Sequence, residues 1–255
     1  MKNDKINCKQ QLLYLIKPAS KQRPYISVKG LYANLKHNEY KVKPATVNRY
    51  LATFKKNKII FDAGRGWYSS IATPFILDLT PVKRIDSIIQ KKYPLLDFSC
   101  WSTEQISRYG QHLLTKYITF LYTDRENMSS VSEFLINKGY NVYLNPSKTE
   151  SKAFVIRDKT FVIRPSVKTQ PTENHFVKIE GILVELFLEK DDLNLIDFNE
   201  YKEIFNNLSR QSRISLSKFL NYAKDRKSSS LIKLVESIKA EFSKNSSLVD
   251  LLKTK

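Results

Sequence analysis

Glycine is scarce in this sequence, with six residues in 255. Two of the six, Gly64 and Gly66, bracket a single arginine in the stretch GRGWYS (64–69). In a chain that otherwise avoids glycine, such a pair marks backbone that needs unusual freedom. Cysteine is scarcer still: Cys8 and Cys100 are far apart and fit no metal or redox spacing. They predict two reduced thiols, Cys100 buried, and no disulfide. His37, His112 and His175 make no HExxH or His-x-His pattern, which argues against a metal site. Neither a GxxxxGK[ST] loop nor a GxGxxG fingerprint occurs, so the commonest nucleotide sites are excluded and no cofactor is expected. Long apolar runs are missing too. The greasiest stretch, Ile182 to Leu188, is interrupted by Glu185 and falls well short of the ~18 residues of a membrane span. The opening MKNDKINCKQQ has no apolar signal-peptide core. These absences predict a soluble, cytoplasmic protein with no membrane partner. A final absence is local: the segment from Met1 to Ser70 contains only three carboxylates, Asp4, Glu39 and Asp62.

Against those three stand 15 Lys and Arg, so this segment carries +12 of the total +18 and leaves +6 for the rest of the chain. A lysine-rich composition explains a basic chain, but it does not explain a basic end. Positive charge concentrated in one short segment points to a polyanion partner, with nucleic acid the first candidate. The 42% apolar content is enough to bury a core, and the length fits one or two domains.

Three short helices are predicted ahead of Lys58. Leu12, Leu13 and Ile16 form an apolar edge before Pro18. Ser27 is a good N-cap for a second helix with Val28, Leu31, Tyr32 and Leu35 on one face. Pro44 opens a third, with Val47, Tyr50, Leu51 and Phe54 at the same spacing. The opposite face of that third helix gathers Ala45, Arg49, Ala52 and Lys56, with Asn48 and Thr53 at its margins. Small and cationic residues together make a surface thin enough to enter a DNA major groove, roughly 12 Å wide. Arg49, with Lys43 and Thr46 near the helix N-terminus, is then placed to reach base edges. Lys55 and Lys56 at the other end add to the basic surface.

KIIFDAGRGWYSS then reads as a strand from Lys58 to Phe61, a tight glycine-containing loop, and a second strand from Trp67 to Ser69. Three helices followed by a hairpin form a winged helix-turn-helix. Arg65 sits at the wing tip, aimed at a phosphate or the minor groove, and Trp67 and Tyr68 anchor the hairpin on the helices. Winged helices also serve as protein-protein modules, and that alternative stays open.

Beyond residue 72 a connector helix is predicted from Pro81, with Val82, Ile85, Ile88 and Ile89 inward. Strands follow at 97–102, 116–123, 140–144 and 159–164, with helices at Glu104 to Leu114 and Ser129 to Asn137, the latter closing at Gly139. Residues 116–144 have the pattern of a right-handed βαβ crossover. After Pro171 the chain is predicted helical, in four stripes. These contain Ile179, Ile182, Leu183, Leu186 and Phe187; Tyr201, Ile204, Phe205 and Leu208; Leu216, Phe219, Leu220 and Ala223; and Leu231, Leu234, Val235 and Ile238. Asp191 and Asp192 read as a solvated turn, and residues from Ser243 onward as a fraying end. The fold class is α+β: a winged helix over 1–72, then a 73–255 domain made of a connector helix (73–92), a mixed α/β part (93–170) and a helical part (171–255). A basic arm ahead of an α/β domain is also a nuclease layout, for which ESK (150–152) with Asp97 would supply metal-binding carboxylates, Glu150 and Asp97, and Lys152 beside the phosphate.

The succession of a basic winged helix with a glycine-flanked hairpin, CWSTEQIS, a βαβ-like segment, KIEGILVELF and FLNYAKDRK resembles the AbiEi antitoxins of the AbiE type IV toxin-antitoxin and phage abortive-infection systems. It runs from about Lys41 to Leu234. The resemblance implies a non-enzymatic antitoxin that represses its own operon by binding inverted repeats in the promoter. It also implies a nucleotidyltransferase-like toxin as partner, countered directly or indirectly, and a C-terminal domain associated with antitoxicity. On that pattern GRGWYS is the wing and Lys43 to Lys56 the recognition helix, and the later motifs carry no catalytic role.

Overall fold

A computed structural model describes residues 8–16, 24–111, 116–150 and 154–234 of the chain. In chain order its elements begin with α1 (Cys8–Ile16), β1 (Tyr25–Ser27), α2 (Val28–His37), α3 (Pro44–Lys56), β2 (Phe61–Asp62) and β3 (Trp67–Ser69). There follow α4 (Thr80–Lys92), β4 (Phe98–Ser102), α5 (Glu104–Ser107), β5 (Ile118–Thr123), α6 (Arg125–Asn137), β6 (Asn141–Leu144) and β7 (Thr160–Pro165). The last are β8 (Thr172–Glu173), β9 (Phe176–Val177), α7 (Ile179–Asp192), α8 (Phe198–Gln211) and α9 (Leu216–Asp225). The fold is mixed α/β, in two compact units: one holds residues up to Phe75 together with those from Leu208 onward, the other Ile76–Asn207.

The first unit is built on the predicted apolar faces. Leu12, Ile16, Leu31, Leu35, Val47, Leu51, Phe54 and Ile60 form its buried cluster. Ser27 caps α2 by accepting the Gly30 N–H at 2.8 Å, and Pro44 opens α3. A three-stranded sheet has β3 in the centre, antiparallel to both β1 and β2. Two differences from expectation have clear causes. The strand predicted from Lys58 starts only at Phe61, because residues 57–59 terminate α3. Lys58 takes a left-handed conformation (φ 56°), and the Ile59 N–H reaches the Phe54 carbonyl at 2.9 Å, as in a Schellman motif. And β1, too short to show a period, completes the sheet.

The larger difference concerns the chain's C-terminal part. A single boundary at 72/73 would place everything after it in one domain, yet among the described residues 208–234 fall in the same compact unit as the N-terminal helices and sheet. The Tyr25 hydroxyl accepts the Ile214 N–H at 2.9 Å and donates to the Ser212 carbonyl at 3.3 Å. Arg213 donates to the carbonyls of Ile71 (2.9 Å) and Ala72 (2.8 Å), its guanidinium 5.2 Å from the Phe61 ring centre. Leu216, Phe219, Leu220, Leu231 and Leu234 are buried as their stripes predict; Val235, Ile238 and the end from Ser243 lie outside the described residues.

The second unit carries a six-stranded sheet in the order β6-β7-β5-β4-β9-β8. β5, β7 and β6 run parallel, so β5-α6-β6 is a crossover, but β7 is inserted between its two strands. One face of the sheet packs Cys100, Leu121, Phe161 and Ile163 against Val82, Ile85 and Ile89 of α4 and Val131 and Leu135 of α6. On the other face, Arg164 of β7 meets Glu189 of α7. α6 starts before the predicted Ser129, at Arg125, with Asp124 as its N-cap. It ends as predicted at Gly139, whose φ is 83°. α5 is a single turn rather than a helix to Leu114; residues 112–115 lie outside the described region. The stretch after Pro171 is not helical at first: β8 and β9 form a hairpin, turned by Asn174 and His175 at positive φ, before α7.

Candidate nucleic-acid interface

α3 contains no carboxylate, and its apolar stripe of Val47, Leu51 and Phe54 is buried. That burial turns Lys43, Ala45, Asn48, Arg49, Ala52, Lys55 and Lys56 to solvent, while Thr46 and Thr53 are half-buried at the edges. Lys43 is the N-cap residue and makes no side-chain cap bond. Asn48 is fixed from below: the Tyr32 hydroxyl of α2 is shared between Asn48 Oδ1 (3.3 Å) and the Pro44 carbonyl (3.0 Å). Arg49 is steadied by an aromatic support. Its guanidinium lies 5.6 Å from the Tyr50 ring centre, and Tyr50 stacks on buried Phe54. Thr53 Oγ1 donates to the Arg49 carbonyl at 2.9 Å, which turns its hydroxyl towards the helix backbone.

Lys55 differs from its neighbours. Its ammonium pairs with Asp62 of β2, and that hydrogen bond raises its pKa above the ordinary lysine value. The pair links the end of α3 to the hairpin and balances the charge locally. Among the described residues, Lys43, Arg49, Lys56 and Arg65 have no carboxylate partner.

The hairpin tip uses both glycines at positive φ, Gly64 at 98° and Gly66 at 78°. Trp67 N–H donates to the Gly64 carbonyl at 2.9 Å, closing the turn, and Arg65 is exposed between them. Tyr68 packs on the helical core as expected; Trp67 is half-buried and pairs with Ser27 across β1. The tip also has a neighbour that no local pattern announces. Arg65 N–H donates to Ser217 Oγ at 3.1 Å, and a Cβ on Gly64 would lie 2.0 Å from that same oxygen and 2.7 Å from Ser215 Oγ. The signal available in sequence was only the glycine.

The other described sequence candidates take structural roles or stand outside any metal-holding group. Asp97 is exposed just before β4. The Glu150 carboxylate accepts Ser147 N–H and Oγ, both at 2.7 Å, and these bonds hold it below the ordinary carboxylate range. Lys152 and His112 lie outside the described residues. His175 stacks on Phe98 at 4.4 Å and bonds its carbonyl through Nδ1, and Asp191 and Asp192 close α7 instead of forming a loop. Among the described residues no group of three or more His, Cys, Asp or Glu is arranged to hold a metal. No described helix is long and apolar enough to cross a membrane.

A buried charged pair lies in the second unit. Arg164 grips Glu189 bidentately at 2.8 and 2.6 Å and also donates to the Pro146 carbonyl at 2.6 Å. Burial raises the Glu189 carboxyl above its ordinary range, and the guanidinium opposes that shift. The bidentate bond ties β7 to α7, so the pair is structural glue between the two elements.

Residues 46–241, more than three quarters of the chain, match DUF6577, a family of unknown function. The chain belongs to that family. The matched region takes in Arg49, Arg65 and α9, and it extends through both units. No curated protein and no solved structure is significantly similar to the chain.

Proposed function

We propose that this protein is a double-stranded DNA-binding autorepressor and antitoxin of the AbiEi kind, acting on inverted repeats in its own promoter and countering a nucleotidyltransferase-like toxin. The observation that carries the DNA reading is the acid-free, exposed face of α3, with Arg49 propped on Tyr50, in the same compact unit as a glycine-turned hairpin bearing exposed Arg65. In this reading the helices and hairpin are a winged helix-turn-helix, α3 enters the major groove, and Ala45 and Ala52 allow close approach. Lys56 and Arg65 contact phosphates, which position the protein, and Arg49, with Lys43, Thr46 and Asn48, reads base edges. The antitoxin part rests on the family resemblance and on the order of its motifs.

The test is binding of the full chain to a duplex from the region upstream of its own gene and to a scrambled duplex, over a range of salt. Affinity is expected to fall steeply with salt. Arg65→Ala should weaken both duplexes alike, whereas Arg49→Ala should cost about 1–3 kcal/mol on the preferred sequence and relax discrimination. Equal losses on both duplexes for both variants would overturn the assigned roles, and absence of binding would overturn the DNA reading. Co-expression with the product of the neighbouring gene tests the antitoxin reading: growth arrest by that product should be relieved by this chain.

A further inference from the structure

We infer that the DNA surface is assembled from both ends of the chain, with Lys218 at the start of α9 contacting the DNA backbone beside Arg65. This rests on the DNA-binding reading above and adds a residue that the winged-helix pattern does not contain. Lys218 follows Ser217, whose hydroxyl accepts the Arg65 N–H at 3.1 Å, so the chain segments that carry the two cations lie next to each other. Both side chains are exposed, and among the described residues neither has a carboxylate partner. Glycine at 64 is what permits this approach, since any side chain there would collide with Ser217 and Ser215.

The charge pattern of α9 fits a polyanion. Its first turn holds no acidic residue and one lysine, the reverse of what a solvated helix N-terminus favours. Leu216, Phe219, Leu220, Tyr222 and Ala223 are buried, which fixes the helix and turns Lys218 outward. Both cations therefore project from adjoining segments joined by the Arg65 N–H to Ser217 Oγ bond, and a phosphate run passing the hairpin tip meets both. In this inference both cations meet phosphates, so their contribution is sequence-independent.

The experiment compares wild type, Lys218→Gln, Arg65→Gln, their double variant and a control, Lys91→Gln, which removes an exposed charge in the other unit. The probes are the upstream duplex and a scrambled duplex of equal length, with log affinity followed against log salt. Loss of one phosphate contact should flatten the slope by about 0.9, and the double variant by about twice that. Lys218→Gln is expected to flatten it on both duplexes while Lys91→Gln leaves it unchanged. Should wild type bind while Lys218→Gln keeps the wild-type slope, or flattens it no more than Lys91→Gln does, the inference fails and the DNA reading stands on α3 and Arg65. A loss confined to the upstream duplex also overturns it, because a phosphate contact carries no sequence preference. If wild type binds neither duplex, both readings fall together.

Discussion

At the residue scale, the glycines separate two uses that look alike in sequence. Gly66 has positive φ and nothing within 4 Å of a would-be Cβ, so Gly66→Ala costs only backbone conformation. Gly64 has positive φ and Ser217 against it, so Gly64→Ala should destabilise by about 1–3 kcal/mol and by more than Gly66→Ala. Gly181 is different again. It lies in α7, where alanine should be better by ~1 kcal/mol, but its Cβ would sit 2.7 Å from Val177 Cγ1 and 3.3 Å from the Pro171 carbonyl. Gly181→Ala is therefore expected to lose about 1–2 kcal/mol net, overpacking outweighing propensity. Denaturant midpoints of the three variants check the order, and a stabilised Gly181→Ala would contradict the packing. Cys100 gives a pH test. Burial pushes its thiol well above the ordinary cysteine value. The folded thiol then keeps a proton that the unfolded one releases, so this group's contribution is full below the ordinary thiol pKa and declines as pH rises past it. In a Cys8→Ser background, thiol labelling should follow unfolding in denaturant, and rapid labelling of the native protein would show that Cys100 is open to solvent.

At the element scale, periodicity identified the helices whose faces divide cleanly. α3 is an example: its apolar stripe is buried and its opposite face exposed as the spacing requires. α7 was also read from its stripe of Ile179, Ile182, Leu183, Leu186 and Phe187, but it buries Glu180, Glu185 and Glu189 as well, which no period announces. β1, β8 and β9, two or three residues long, have no period to read. The Arg164–Glu189 pair between β7 and α7 was likewise invisible, since nothing in either segment names its partner. Removing one member leaves the other charge buried, so Glu189→Ala should cost about 3–5 kcal/mol, and Glu189→Leu combined with Arg164→Met should recover much of that loss. Urea melts of the single and double variants decide this; a single variant as stable as wild type would mean the pair is solvated.

At the scale of the whole molecule, the sequential order of domains and their spatial composition differ. A fragment ending at residue 72 lacks the partners of Tyr25 and Phe61, namely residues 212–214. It is expected to melt without cooperativity and to bind DNA weakly, as calorimetry and a binding assay would show; a cooperative melt with full affinity would mean the C-terminal segment is dispensable. By itself the sequence determined the helix starts at Ser27 and Pro44, the turn at Gly139, the exposed cationic face of α3 and the concentration of charge in the segment ending at Ser70. Each of these depends on neighbours within a few positions or on composition. Only the tertiary structure decided that α9 docks at the hairpin tip, that β7 inserts between β5 and β6, and that Gly64 and Gly181 make room for other chain segments. Those facts depend on contacts between residues far apart in the chain, and such contacts impose no local period: a glycine reads the same whether it frees the backbone or yields space.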